Sequence, residues 1–199
     1  IEKIDFDVET RSGNEQLVAV LFTDIVGFTT ICENLKAEEV VELLSEYQTR
    51  MVAPIFKNFG TVDKFIGDAV MATFGTPRSR GNDAQNAFEC ARQMQTAMRQ
   101  WSKERSEKSL PEIRHRVGIH IGHCIVGNIG SDERIEFSVI GDSVNVASRI
   151  CGACKELEAS VLISDEVKLR LSEKIDTEII ENFAIRGREE GITLHKVTI

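Results

Sequence analysis

The chain has 199 residues, 42% hydrophobic and 28% charged, with 24 basic and 32 acidic side chains that leave a net charge of −8. This describes a folded globular chain rather than a disordered one, and the length fits one domain of the usual size, about 100–200 residues. The acidic balance argues against broad nucleic-acid binding and against docking on an anionic membrane, though not against a small anion held by a few local cations. The longest apolar run, Leu17–Phe22, has six residues, far short of the about 20 that a membrane span needs. Ile1–Asp5 lacks the basic start and apolar stretch of a secretion signal. The absence of an initiator Met suggests a fragment whose upstream regulatory domain is missing. Five cysteines, an odd number without a secretion signal, point to reduced thiols and a cytoplasmic setting.

Residues 1–16 are polar and unpatterned, and the expectation is a linker or the tail of an upstream segment. Leu17–Phe22 is apolar on both alternating faces, which predicts a strand covered on both sides. Asp24–Thr29 is turn-like and holds a carboxylate and a glycine. Over Ala37–Phe59, Val40, Leu44, Tyr47, Met51 and Ile55 recur at helical spacing. Pro54 would kink this helix or open its last segment, and Gly60 would end it. Thr61–Ile66 and Ala69–Phe74 flank Gly67-Asp68, a two-residue hairpin signal.

A second amphipathic helix carries Ala84, Ala87, Ala91, Met94, Met98 and Trp101 on one face. Its charged end, Lys103–Lys108, reads as solvated. Arg114–Ile121 and Cys124–Ile129 read as a strand pair, Asp142–Ala153 as a helix, and Val161–Ile163 as a short strand. A Ser164-capped helix to about Leu171 follows, then final strands at Thr177–Ile185 and Thr193–Thr198. The order β-α-β-β-α-β predicts an α+β fold: a ferredoxin-like split βαβ, palm-type antiparallel sheet with helices on one face and a smaller C-terminal αβ extension.

That plan brings Asp24, directly after the first strand, and Asp68, at the hairpin tip, to the same edge of the sheet. Two carboxylates meeting there repel unless a cation lies between them. Hard oxygen ligands suit Mg²⁺ or Mn²⁺, which bind substrate phosphates as well. Each aspartate alone reads as a turn former; the pair, beside Gly27, reads as a metal and phosphate site.

Three long motifs then carry a resemblance: Phe22–Thr29, Asp63–Asp68 and Phe137–Arg149, with Arg116–His120 and Val126–Gly130 fitting the same pattern. They resemble the class III nucleotidyl cyclases, from about Leu17 to the C-terminus. The resemblance implies that Asp24 and Asp68, with the Ile25 carbonyl, hold two Mg²⁺ or Mn²⁺ ions. It implies that Val26, Gly27, Phe28 and Thr29 present backbone amides to the terminal phosphates. Lys64 and Ser138 match the two base-selecting positions, with lysine accompanying adenine. Asn145 matches the residue that orients the ribose and Arg149 the one that steadies the α-phosphate. Arg116 matches a phosphate-contacting arginine of some members. The family's lysine for the β/γ-phosphates falls near Arg186-Gly187-Arg188, with Arg186 the expected equivalent and Arg188 the alternative.

Many members carry Asp at the Ser138 position; Ser or Thr there resembles a largely bacterial, soluble subgroup, some of whose members respond to bicarbonate. In the family the metal aspartates of one subunit work with the lysine, asparagine and arginine of its partner. Because this chain carries both sets, the resemblance implies a homodimer with ATP as substrate and cyclic AMP as product. A non-catalytic nucleotide-sensing module and a guanylate cyclase are the alternatives. A diguanylate-forming palm domain would need a Gly-Gly-acidic hairpin, which is absent here. Cys151 and Cys154 read as core thiols rather than a redox or zinc pair. His120 and His123, three apart on a strand, point to opposite faces, and His115 and His195 show no partner in the sequence.

Overall fold

A computed structural model describes residues 13–131 and 133–198. The expected linker therefore lies outside the described residues up to position 12, and its last part, from Gly13, belongs to the first strand. The elements are β1 (Gly13–Ile25), α1 (Phe28–Cys32), α2 (Ala37–Lys57), β2 (Thr61–Ile66), β3 (Ala69–Phe74), α3 (Asp83–Glu107), β4 (His115–Gly130), β5 (Ile135–Ile140), α4 (Asp142–Ala153), β6 (Val161–Ser164), α5 (Asp165–Lys168), β7 (Thr177–Phe183) and β8 (Ile192–Val197). One eight-stranded sheet runs β2-β3-β1-β4-β6-β8-β7, with β5 also paired to β4. Its first four strands and the two long helices α2 and α3 make the split βαβ plan. β6, β7, β8 and α5 make the C-terminal extension, β6 lying parallel to β4.

β1 is covered on both faces, as its unbroken apolar run requires. Ala19, Leu21 and Ile25 join Tyr47, Met51 and Ile55 of α2 and Ala87, Met94 and Trp101 of α3 in one core. Val18, Val20 and Phe22 join Ala147 and Cys151 of α4 in a second. The α3 stripe is buried throughout. In α2 it is Leu43, rather than Leu44, that is buried. The helix continues through Pro54 to Lys57. Phe59, with φ of 61°, makes the left-handed turn expected of Gly60. Gly60 is glycine for space: a Cβ there would lie 2.6 Å from the Phe74 ring.

The main departure is β4. Arg114–Ile121 and Cys124–Ile129 are one continuous strand, whose ladder with β1 runs from Gly13↔Gly127 to Ile25↔His115. The missing hairpin partner is β5, which pairs with Ile125–Gly130. Gly122 is a docking position rather than a turn former. A Cβ at Gly122 would lie 2.3 Å from Ser143 Oγ, and one at Gly118 would lie 2.2 Å from the Cys151 backbone N. These two glycines let α4 lie directly on β4, where Cys151 and Cys154 donate S–H bonds to the carbonyls of Arg116 and Val117. Both thiols are buried, as core cysteines are.

The buried histidines all have partners. His115 Nδ1 is 2.9 Å from Thr23 Oγ1, which is 2.8 Å from the Tyr47 hydroxyl. His120 Nδ1 is 2.9 Å from Ser164 Oγ, so that hydroxyl serves the histidine instead of capping α5, which is only one turn long. His195 bridges Asp165 at 2.9 Å and Thr177 at 3.0 Å. His123 is exposed on the face opposite His120.

Replacing Gly118 by Ala should displace α4 and cost about 1–3 kcal/mol, lowering Tm by about 3–10 °C in thermal unfolding. Gly152→Ala in the same helix, where a Cβ meets open space, should be neutral or slightly stabilising. Burial pulls the His115 pKa down to about 3, so the folded state keeps this imidazole neutral while the unfolded chain protonates it below about 6.5. Between those values the unfolded state binds more protons, and stability falls as pH falls, by up to about 1.4 kcal/mol per pH unit. His115→Gln should flatten the Tm-against-pH profile between pH 6.5 and 4 relative to the parent protein.

Candidate active site

The site begins where β1 ends. Asp24 stands opposite Arg116 in the β1–β4 ladder, and Arg116 Nε donates to Asp24 Oδ1 at 2.5 Å. The hairpin β2–β3 brings Asp68 to the same end, because β3 pairs with β1 on its other edge. Asp68 Oδ2 accepts the Ile25 N–H at 3.0 Å, which ties the hairpin tip to the end of β1. The Thr23 hydroxyl, fixed between Tyr47 and His115, holds the residue before Asp24 from beneath.

The electrostatics favour a cation. Burial pushes the Asp24 carboxyl above its ordinary range; Arg116 opposes this and the neighbouring Asp68 adds to it. Arg116 is itself held more firmly protonated by its bond to Asp24. One oxygen of each carboxylate is engaged, and among the described residues Asp24 Oδ2 and Asp68 Oδ1 carry no hydrogen bond or ion pair. Among the described residues no cluster of three or more His, Cys, Asp or Glu side chains surrounds a common point. Two carboxylates with a backbone carbonyl suit Mg²⁺ or Mn²⁺, which complete their shell with water and substrate phosphate. They do not suit a metal that needs a full protein cage.

After Ile25 the chain turns through Gly27, whose φ of 72° and ψ of 24° are left-handed, into the short helix α1. The turn expected over Asp24–Thr29 is made by Val26 and Gly27, and the helix that follows it carries no signal in the sequence reading. The first N–H groups of a helix have no partner within it, so Phe28 and Thr29 can offer theirs outward. Val26 cannot: its N–H is donated to the Arg114 carbonyl at 2.8 Å.

Two further groups form elsewhere. Lys64 Nζ, on β2, donates to Ser138 Oγ of β5 at 3.1 Å. On α4, Ser143, Val146, Ala147, Ile150 and Cys151 face the sheet, which leaves Asn145 exposed and Arg149 half-buried one turn later on the same side. Arg149 packs against the loop after β7, where a Cβ on Gly187 would stand 3.4 Å from its guanidinium. Beside it Arg188 is 3.8 Å from Asp142, while Arg186 is exposed. No hydrogen bond or ion pair among the described residues joins the Asp24–Asp68 group to Lys64–Ser138 or to Asn145–Arg149. The expected site residues thus fall into separate groups within one chain.

Comparison with known proteins gives the family. Residues 10–197 match the family described as adenylate and guanylate cyclase catalytic domain. Adenylate cyclase 1 of Rhizobium meliloti (strain 1021) is 34% identical over 187 residues, covering 94% of this chain and 28% of the relative. Adenylate cyclase of Anabaena cylindrica is 34% identical over 198 residues, covering 96% and 38%. The chain therefore spans roughly a third of the length of these relatives. The crystal structure of the adenylyl cyclase CyaB from P. aeruginosa superposes with a TM-score of 0.86 at 32% identity, covering 94% of this chain and 96% of that one. The guanylyl cyclase Cya2 follows with a TM-score of 0.82 at 29% identity, covering 93% of each chain. On the family match across nearly its whole length, and on a fold that gathers Asp24, Asp68 and Arg116 at one sheet edge, this chain belongs to the adenylate and guanylate cyclase catalytic domain family.

Proposed function

We propose that this domain converts ATP to 3′,5′-cyclic AMP and pyrophosphate at two equivalent sites of a homodimer. The observation that carries this reading is the Asp24–Asp68 pair, tied together through the Ile25 N–H and bordered by Arg116. These residues would hold two Mg²⁺ or Mn²⁺ ions. Ions held there would neutralise the triphosphate and lower the pKa of the ribose 3′-hydroxyl. The 3′-hydroxyl gives its proton to water as its oxygen forms a bond to the α-phosphorus, the bond from that phosphorus to the α–β bridging oxygen breaks, and the electron pair leaves with pyrophosphate.

The chain's own part is positioning and charge. Lys64 and Ser138 read the adenine: the ammonium donates, and the hydroxyl can accept from the N6 amine or donate to N1. Asn145 orients the ribose, and Arg149, four residues on along one helix face, offsets charge growing on the α-phosphate. The amides of Gly27, Phe28 and Thr29, with Arg116 and Arg186, hold the outer phosphates. Separation of these groups within one chain supports sites completed by a partner. So does the apolar surface beside them: Phe65 and Ile66 on the hairpin, and Ile125, Phe137 and Ile140 on β4 and β5, are each about half exposed. Such a patch favours burial against a second copy.

Purified protein with Mn²⁺ should yield cyclic AMP from ATP and far less cyclic GMP from GTP, read by chromatography of both products. A greater rate on GTP would instead make it a guanylate cyclase. ATP bound without product by a confirmed dimer would make it a nucleotide sensor. Asp24→Ala and Asp68→Ala should each reduce activity to background. An equal mixture of Asp24→Ala and Arg149→Ala subunits, after exchange, should regain about a quarter of parental activity, because half the dimers carry one intact site. No regain despite exchange shown by a labelled subunit would exclude the shared site.

A further inference from the structure

A buried acid beside the Lys64–Ser138 pair has no role in the reaction as described so far. β2 and β3 are out of step by one residue: Val62 stands opposite Ala72, yet Lys64 stands opposite Met71. Asp63 is thus the extra residue of a β-bulge, a device that re-aims side chains next to functional sites. Opposed residues of an antiparallel pair share a face. Val62 and Ala72 belong with the core under α2 and α3, whereas Met71 belongs with the core under α4. In an unbroken register position 64 would oppose Val70, a residue of the α2–α3 core, and its ammonium would point into that core. The inserted Asp63 moves Lys64 to the other face, where its Nζ meets Ser138.

Asp63 also supplies a charge. Its side chain is 4% exposed, against 42% for Lys64, and its Oδ2 lies 3.1 Å from Lys64 Nζ. That oxygen accepts no aligned hydrogen bond among the described residues, so the ammonium beside it is its compensation. A buried carboxylate is costly unless it faces a counter-charge, and this one draws the flexible lysine to a single place. Lys64 is held from two sides, by Asp63 at its root and by Ser138 ahead of it.

We propose that Asp63 is a positioning residue for nucleobase selection: it inserts the bulge and fixes the Lys64 ammonium where adenine is read. This rests on the reading of Lys64 and Ser138 as the base-recognising pair. Asp63→Asn keeps the shape and removes the charge. It should raise KM for ATP about tenfold, with a smaller change in kcat, and lower the ATP-to-GTP ratio of kcat/KM by a similar factor. Inhibition by inorganic tripolyphosphate, which has no base, should stay at the parental value, and Asp63→Glu should recover most of the ATP preference. An unchanged ATP-to-GTP ratio in folded Asp63→Asn overturns the proposal, as does a parallel loss of tripolyphosphate inhibition. If Asp63→Asn does not fold, Asp63→Ser takes its place. Should the parent protein turn over neither nucleotide, the cyclase reading falls on its own. The comparison then passes to calorimetry with 3′-deoxy-ATP, 3′-deoxy-GTP and tripolyphosphate. Loss of base discrimination in the variant, with tripolyphosphate binding intact, sustains the role of Asp63; discrimination absent from the parent or unaltered in the variant overturns it.

Discussion

The pairing of β1 with β4 is the constraint on which the rest of the molecule depends. All of β1, from Gly13 to Ile25, is in register with β4. Because side chains alternate along a strand, fixing one pair fixes every other. The same register sets Asp24 opposite Arg116 and puts Thr23 within reach of His115. It also turns Val18, Val20 and Phe22 toward α4. A slip of one residue would part Asp24 from Arg116 and expose one core while overfilling the other. α4 depends on β4 in turn, since only the bare backbone of Gly118 and Gly122 lets it come so close. The orientation of Asn145 and Arg149 follows from that contact.

The site's charge is local rather than global. The chain is acidic overall, yet Arg116, Lys64, Arg149 and Arg186 stand on surfaces that the fold leaves open or half-open. Three of the four are restrained, each by a different means: Arg116 by an ion pair, Lys64 by a carboxylate and a hydroxyl, and Arg149 by a glycine loop packed against it. The carboxylates face the opposite problem. Asp24 is partly buried next to Asp68, so its ionised form is disfavoured without a cation. A site assembled this way would suit an anion and a metal together better than either alone, and that fits the proposed nucleotide–metal substrate.

Much of the fold was legible because its signals are short-range. The alternation of Leu17–Phe22, the Gly67-Asp68 turn and the Ala84–Trp101 stripe each follow from local geometry, and each is in place. What misled were glycines. Gly60 and Gly122 carry no turn; both are glycine because a ring or a hydroxyl occupies the space of a Cβ, a fact about distant residues. The same holds for Val26, whose amide is taken by Arg114 across the sheet, and for Ser164, whose hydroxyl goes to His120 rather than to its own helix. The Asp63 bulge left no mark in the sequence at all, because a one-residue offset exists only relative to a second strand.

The sequence by itself determined the chemistry available: two carboxylates 44 residues apart, a lysine and a serine, an asparagine and an arginine one helical turn apart, and strand and helix periods that order the elements. Residue type and local spacing are written in the chain, so these could be read directly. Tertiary structure decided which of them meet. It joined Asp24 to Arg116 and Asp68, joined Lys64 to Ser138 through an inserted Asp63, and kept the two groups apart within one chain. Register, bulge and close approach depend on pairs of residues far apart in sequence, and such pairs have no meaning until the backbone has folded.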